Sequence, residues 1–501
     1  MKKEENDKAY WTICKECYGR GKTSRKIRKS VRLAYQKALD HFEKFEKNNN
    51  EGTAPIRPKG QLCSCENCGG LGLLTATSPA IPDTENYPHV AIIGAGIGGV
   101  ALAVACYHRG IPFTLYERDL EFDARSQGYG LTVQQGSKAL EGLGVLSLEE
   151  AIIASKHVVH NAEGKVIGEW GMRKWIPTNE TNPSKPQKLP KRTNMLVARQ
   201  TLRLALLKQL GGLDSVKWGH QLQDFTENDG NGDGNGDING NRVNLCFTVN
   251  GKIKNAKADL VVGADGIRGC VRKMLIGDDA SPLRYLGCIV ILGICPLSAL
   301  ENLNNSLLNS STIFQTVNGH DRIYIMPYDS HSVMWQFSFP ISEKEAENLS
   351  GQGAKALKEE ACRRTQWHNP IPQIVSATLE TQIIGYPVYD RELLQSELLE
   401  NAGCATLIGD AAHPMSPFKG QGANQALLDA LVLARGIATG CKPNSKWREL
   451  GIRKSVLMEF ESLMIERTAS KVKDSAEAVR LLHSDVVLLE SDAPRGRSLN
   501  K

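Results

Sequence analysis

The chain has 501 residues, 41% apolar and 23% charged, which is the balance of a globular protein with room for two or three domains. No apolar run reaches the roughly 18 residues that cross a bilayer, and MKKEENDKAYW lacks the apolar core of a secretion signal, so no membrane span is expected and a cytoplasmic location is. The net charge of +6 is uneven. Lysines and arginines crowd the stretch between Lys22 and Lys47, which reads first as a solvated helix face and second as a contact for an acidic partner; nucleic acid is not the expected ligand.

Cys14–Gly21 reads CKECYGRG and Cys65–Gly72 reads CENCGGLG. Two residues between cysteines let both sulfurs reach one ion, and the glycines permit the tight turn and free amides of a metal knuckle. Cys14, Cys17, Cys65 and Cys68 are therefore predicted to form one closed four-thiolate zinc site, structural because no coordination position stays open. Cys63 is a spare thiol able to compete with Cys65. The repeat resembles the cysteine-rich zinc repeats of J-domain chaperones, but only one pair is present and no J-domain signature accompanies it, so chaperone activity is not implied. Residues 1–74 form the expected zinc module with its basic helix, and the Pro- and Thr-rich 75–88 a linker. The other eight cysteines sit singly in apolar surroundings, the usage of a reducing compartment.

His89–Gly99 reads HVAIIGAGIGG, a strand running into Gly94-x-Gly96-x-x-Gly99, and the helix VALAVACYHRG follows. A second strand, PFTLYE, ends at Glu117, 23 residues beyond Gly94 and next to Arg118. This is a dinucleotide fingerprint in its proper context: Gly94 for the turn, Gly96 for close approach of a pyrophosphate, Gly99 for helix–strand packing, Glu117 for ribose hydroxyls. Further along come the strand–turn KADLVVGADGIR, with Asp265, and the sequence IGD ending at Asp410.

Those three motifs, in that order, resemble the class A flavoprotein monooxygenases of the para-hydroxybenzoate hydroxylase type, over roughly 89–484. The resemblance implies that Gly94, Gly96, Gly99, Glu117 and Arg118 hold the adenosine end of FAD. It implies that Arg199 lies near the flavin, Asp265 near the pyrophosphate and the nicotinamide donor's route, and Asp410 on the ribityl chain. Expected cofactors are FAD, NADPH or NADH, and zinc. SQGYGLTVQQG at 126–136 keeps the family's Gly-Leu-Thr, while Gln134 and Gln135 carry no charge with which to name a substrate.

The loop GDAAHPMSPFKGQGAN precedes a helical pattern, QALLDALVLARGI, that carries an Asp in its middle. Pro414 and Pro417 stiffen the approach, and Gly420, Gly422 and Ala423 leave backbone amides bare at a helix amino terminus, which carries roughly half a positive charge. That arrangement suits the anionic reduced flavin ring. Residues 311–340 read as three antiparallel strands in which Arg322, Tyr324 and Met326 alternate onto one face; the resemblance to the monooxygenases implies that this sheet is the substrate-binding roof, within a substrate domain at about 280–385.

The stretch with Asp229, Asp233 and Asp237 spaces its acids by four, where a calcium loop would space them by two, and reads as a loose hairpin tip. Residues 441–490 carry a long amphipathic helix resembling the brace of the tetracycline-inactivating monooxygenases, and 491–501 form a polar tail. The fold class is α/β: a Rossmann-like FAD-binding domain (89–440) with an interleaved antiparallel-sheet substrate domain and a long C-terminal helix, preceded by the small zinc module.

The activity implied is NAD(P)H- and oxygen-dependent hydroxylation of an aromatic or polyketide-like small molecule through a flavin C4a-hydroperoxide, with no single catalytic residue assigned. A flavin oxidase, dehydrogenase or halogenase-like relative remains the alternative, although the roof lacks a halogenase's tryptophan-rich segment. So does a flavin scaffold whose zinc module binds a protein partner.

Overall fold

In the computed structural model the described residues are 10–24, 27–46, 62–125, 129–134, 136–148, 150–171, 194–227, 242–300, 305–309 and 311–494, with isolated positions at 55, 58, 60 and 303. The chain divides into two compact units, Met1–Ile81 and Pro82–Lys501. The acidic hairpin tip at 228–241, residues 126–128, Gln135 and the last residues of the tail lie outside the described residues.

The smaller unit is built from two short antiparallel pairs, Tyr10–Ile13 with Leu73–Ala76 and Lys22–Ser24 with Leu62–Ser64. The helix Lys29–Glu46 lies between the two cysteine knuckles in sequence. Each knuckle closes on the other through backbone: the Cys14 amide donates to the Gly72 carbonyl and the Cys65 amide to the Gly21 carbonyl. A Cβ at Gly21 would lie 2.1 Å from the Gly70 oxygen, and one at Gly72 would lie 2.4 Å from the Gly19 oxygen. Glycine is required there because the two turns touch.

The larger unit is organised by two sheets. The first holds five parallel strands in the order Val216–Lys217, Phe113–Tyr116, Val90–Ile93, Leu260–Gly263, Ala405–Leu407. Val90–Ile93 and Leu260–Gly263 are apolar at every position and fully buried, as central parallel strands covered on both faces must be. Helices Ile97–Tyr107, Arg199–Gln209 and Gly422–Gly440 pack their apolar sides into the same core.

The second sheet has seven strands, ordered Val166–Trp170, Lys156–Asn161, Thr312–Val317, Arg322–Pro327, Ser332–Pro340, Leu283–Pro296, Ile383–Arg391. The three strands expected within 311–340 are all present. Two neighbours come from before 280: Lys156–Asn161 runs parallel to Thr312–Val317, a pairing between segments about 150 residues apart that no local pattern could announce. A three-stranded sheet, Gly130–Val133, Met195–Ala198 and Ile152–Ile153, connects the layers. The C-terminal brace is a short helix, Trp447–Leu450, then a π-turn at Arg453–Leu457 that runs into Met458–Leu482.

Candidate functional site

Within the larger unit a cavity of about 1650 Å³ lies between the parallel sheet and the seven-stranded sheet. A pocket for a single drug-sized ligand holds roughly 300–1,000 Å³, so this one has room for a large cofactor and a second molecule.

One wall is the fingerprint turn. Gly94 has φ of 105°, and a Cβ there would lie 2.5 Å from the Ala264 carbonyl; a Cβ at Gly99 would lie 1.8 Å from the Gly94 oxygen. Any side chain would push strand, turn and helix apart. Gly96 caps the helix Ile97–Tyr107 with no side chain over its amides, and it lines the cavity. Glu117 binds the turn itself, accepting from the Ala95 amide at 2.7 Å and the Asp119 amide at 3.1 Å. The Arg203 guanidinium donates to the Ala95 carbonyl at 2.7 Å.

Asp265 has a similar supporting place. Its carboxylate accepts from the Val271 amide at 3.0 Å, steadying the start of Cys270–Ile276, and burial raises its pKa against that bond. Gly94, Gly99, Glu117, the exposed Arg118 and Asp265 thus shape or flank the wall. Gly96, Arg199, Asp410, Pro417, Gly420, Gly422 and Ala423 line the cavity directly.

Arg199 opens the helix Arg199–Gln209, its amide donating to the Tyr129 carbonyl at 3.1 Å. Asp410 sits in the tight turn Gly409–Ala411. Its carboxylate is accessible, yet the solvent it meets is that of the cavity. Burial among protein atoms raises its pKa, His413 and Arg199 pull it down, and Asp429 adds to the rise.

The mid-helix Asp429 lies beneath that turn, fully buried. One oxygen accepts from the Gly409 amide at 2.8 Å and from His413 Nε2 at 2.7 Å, and the other pairs with Arg467 of the C-terminal brace. Burial works against the carboxylate, but His413, Arg467 and the Gly409 amide together hold its pKa below the ordinary value.

Gly420 adopts φ of 58°, and the helix begins at Gly422 with no side chain hydrogen-bonded as a cap to its first amides. Amides in a first turn have no intrahelical acceptor. Two helix amino termini with no side-chain cap therefore share one cavity. Asn424, buried in that first turn, accepts from the Gln134 and Gly136 amides (2.8 and 2.9 Å) and donates to the Thr132 and Gly420 carbonyls (both 2.8 Å). This side chain clamps two loops together. The sequence offered no signal for it beyond a polar residue in a first turn.

On the opposite side Arg322, Tyr324 and Met326 line the cavity, while Ile323 and Ile325 pack into the core behind the sheet. Arg322 is only 4% exposed. Its Nε donates to Gln315 Oε1 at 2.9 Å and its Nη1 to Gln336 Oε1 at 3.3 Å. The guanidinium carbon lies 5.0 Å from the Tyr324 ring centre and 5.6 Å from that of Phe418. Burial pulls its pKa down to about 10 and pushes the Tyr324 phenol up to about 12, so at neutral pH one is a cation and the other a neutral hydroxyl.

Residues 87–446 match the family model described as FAD binding domain. The chain belongs to that family. Among curated relatives it is 28% identical over 351 residues to aurachin C monooxygenase/isomerase of Stigmatella aurantiaca, covering 69% of this chain and 79% of the relative. Among solved structures it resembles Klebsiella pneumoniae HpxO complexed with FAD and uric acid at 21% identity and a TM-score of 0.62, covering 80% of this chain and 90% of that one. It also resembles the tetracycline destructase Tet(51), at 18% identity and a TM-score of 0.54, covering 80% and 92%. This is an FAD-dependent monooxygenase, and no helix among its described residues is long and apolar enough to cross a membrane.

In the smaller unit the four cysteine sulfurs lie within 4.8 Å of one another, with Cys14–Cys65 at 3.8 Å and Cys17–Cys68 at 3.7 Å. The Gly21 amide points at the Cys17 sulfur and the Gly72 amide at that of Cys68, each at 3.2 Å.

Proposed function

We propose that FAD occupies the cavity, with its pyrophosphate against the Gly96-capped helix, its ribityl chain beside Arg199 and Asp410, and its ring against Gly420–Ala423. The observation that carries this is the pair of uncapped helix amino termini on one cavity wall. Each favours negative charge, one suited to phosphate and the other to a reduced, anionic ring. The fit is also steric: Gly96, Gly420 and Gly422 leave the wall free of side chains where a planar group must approach backbone.

Bound FAD supplies reduction by NADPH or NADH and activation of oxygen. The protein contributes position and dryness. Asp429 holds the Asp410 turn from below, and Asn424 fixes the 130–136 segment against the flavin loop. Met326, Met334, Phe418 and Tyr386 line the space with apolar surface that excludes water. Arg322, Tyr324 and Met326 contact the substrate, an aromatic or polyketide-like small molecule. The tetracycline destructase likeness and the brace Met458–Leu482 support placing the chain in that subgroup.

For the smaller unit we propose a structural zinc held by Cys14, Cys17, Cys65 and Cys68. Four sulfurs about 2.3 Å from one ion in a tetrahedron stand about 3.8 Å apart, which matches the two close pairs. Cys63 is not in the cluster. None of the thirteen cysteines is paired in a disulfide, which supports a cytoplasmic location. The deciding experiment is the visible spectrum of the purified protein: about one FAD per chain is expected. Protein that stays colourless after titration with FAD would overturn the proposal.

A further inference from the structure

Two aromatic rings line the cavity at the outer edge of the roof. Trp170 and His157 stand opposite each other on the last two strands of the seven-stranded sheet, Val166–Trp170 and Lys156–Asn161. Their rings are parallel, with 5.1 Å between centres and 9° between planes. Both side chains are half-buried, and no hydrogen bond among the described residues uses a ring nitrogen of His157. Burial among protein atoms brings the His157 pKa down to about 4, so at neutral pH the ring is uncharged and offers one donor and one acceptor. An imidazole without a partner gives up its bonds to water once the cavity fills with an apolar molecule, which is costly unless that molecule brings a polar group of its own.

The pair is well separated from Tyr324 and Met326. His157 pairs with Ile313 on the strand Thr312–Val317, and that strand in turn pairs with Arg322–Pro327. Neighbouring strands lie about 4.8 Å apart, so His157 is about 10 Å and Trp170 about 14 Å from Met326 across the sheet. The intervening strand contributes Ile313, which packs with Met326 and Met334 in one apolar cluster. A single ring resting on Tyr324 and Met326 falls short of the edge pair. Stacking on Trp170 fixes the plane of the imidazole, and the indole presents a large flat apolar surface at little entropic cost.

We propose that His157 and Trp170 form a second, distal site for a flat ring, and that the substrate is an extended molecule of at least two rings. Its far ring packs against Trp170 and presents a hydroxyl or carbonyl group to the His157 imidazole. This rests on the reading of the cavity as the flavin and substrate site. The edge pair therefore selects for reach: a molecule long enough to span the roof gains a second contact surface, whereas a compact one of equal apolar area does not.

The test uses the FAD-loaded protein and four probes: phenol, 2-hydroxybiphenyl, 4-hydroxybiphenyl and 4,4′-dihydroxybiphenyl. Binding is followed by calorimetry and by perturbation of the flavin absorbance. The two hydroxybiphenyls have the same composition and differ in reach, and the linear one is expected to bind about tenfold or more tighter than the bent one. The second hydroxyl of 4,4′-dihydroxybiphenyl should add about fivefold. W170A should bring the linear isomer down to the level of the bent one, with phenol binding and flavin content unchanged. H157F keeps a flat ring and should remove only the gain from the second hydroxyl. Equal binding of the two isomers, no binding of the linear one, or an isomer gap that survives in W170A would each overturn the distal site. No gain from the second hydroxyl, or a gain that survives in H157F, would overturn the role of His157. If W170A fails to fold, the isomer comparison on the unaltered protein still decides. Absence of FAD from the unaltered protein is a separate result that defeats the flavin reading, and calorimetry reports the ring site in either case.

Discussion

Asp429→Asn tests whether the buried ion network sets the flavin turn. The change keeps shape and removes charge. In the native protein one carboxylate oxygen serves the Gly409 amide and His413, and the other serves Arg467. An amide has only one oxygen, so whichever way it turns, its NH2 group faces a donor. Breaking a buried pair by removing one partner costs 3–5 kcal/mol; Arg467 is 24% exposed and recovers some hydration, so about 3 kcal/mol is expected. The assay is urea unfolding followed by the flavin signal, which reports the larger unit alone.

The pH dependence has a definite sign. A carboxylate whose folded pKa is depressed contributes stability that is fully present above its unfolded value, near 3.9, and is lost as pH falls through the lower folded value. The gap between the native protein and D429N should therefore narrow as pH falls below about 4. FAD should also bind more weakly, because Gly409 and Asp410 lose their anchor. If D429N unfolded at the native urea concentration and retained FAD equally, the network would be incidental and this reasoning wrong.

Asp410→Ala should weaken FAD retention by about 1.5–3 kcal/mol, the range for a hydrogen bond to a charged group, measured as FAD lost on ultrafiltration; unchanged retention would place Asp410 off the cofactor. Gly99→Ala, whose methyl would sit 1.8 Å from the Gly94 oxygen, should cost at least about 1–3 kcal/mol of stability and lower flavin occupancy; normal occupancy would show that the turn can open. Metal analysis in reducing buffer should find about one zinc per chain, and Cys14→Ser should lose it while flavin reduction persists. A zinc-free native protein would end the zinc proposal, and loss of flavin reduction in a folded C14S would show that the ion does more than hold the smaller unit.

Local chemistry made much of this protein legible from sequence. The Gly94–Gly99 turn, the knuckle glycines and the alternation of Arg322, Tyr324 and Met326 all depend on positions a few residues apart, where backbone sterics and strand period act directly. Two-residue spacing within each Cys pair is likewise a local property, although the partnering of the pairs is not. Tertiary structure decided what depends on residues far apart. Lys156–Asn161 joins the roof beside Thr312–Val317, and Asp429 is useful only because Gly409, His413 and Arg467 arrive around it.

Glu117 and Asp265 show the same limit from the other side: their motifs place polar residues at a nucleotide turn, while only the folded chain decides which backbone amides their carboxylates accept from. Arg322 could be placed on a face by strand alternation. That no carboxylate among the described residues pairs with it is a property of everything folded around it, because a charge is paired or unpaired only in three dimensions.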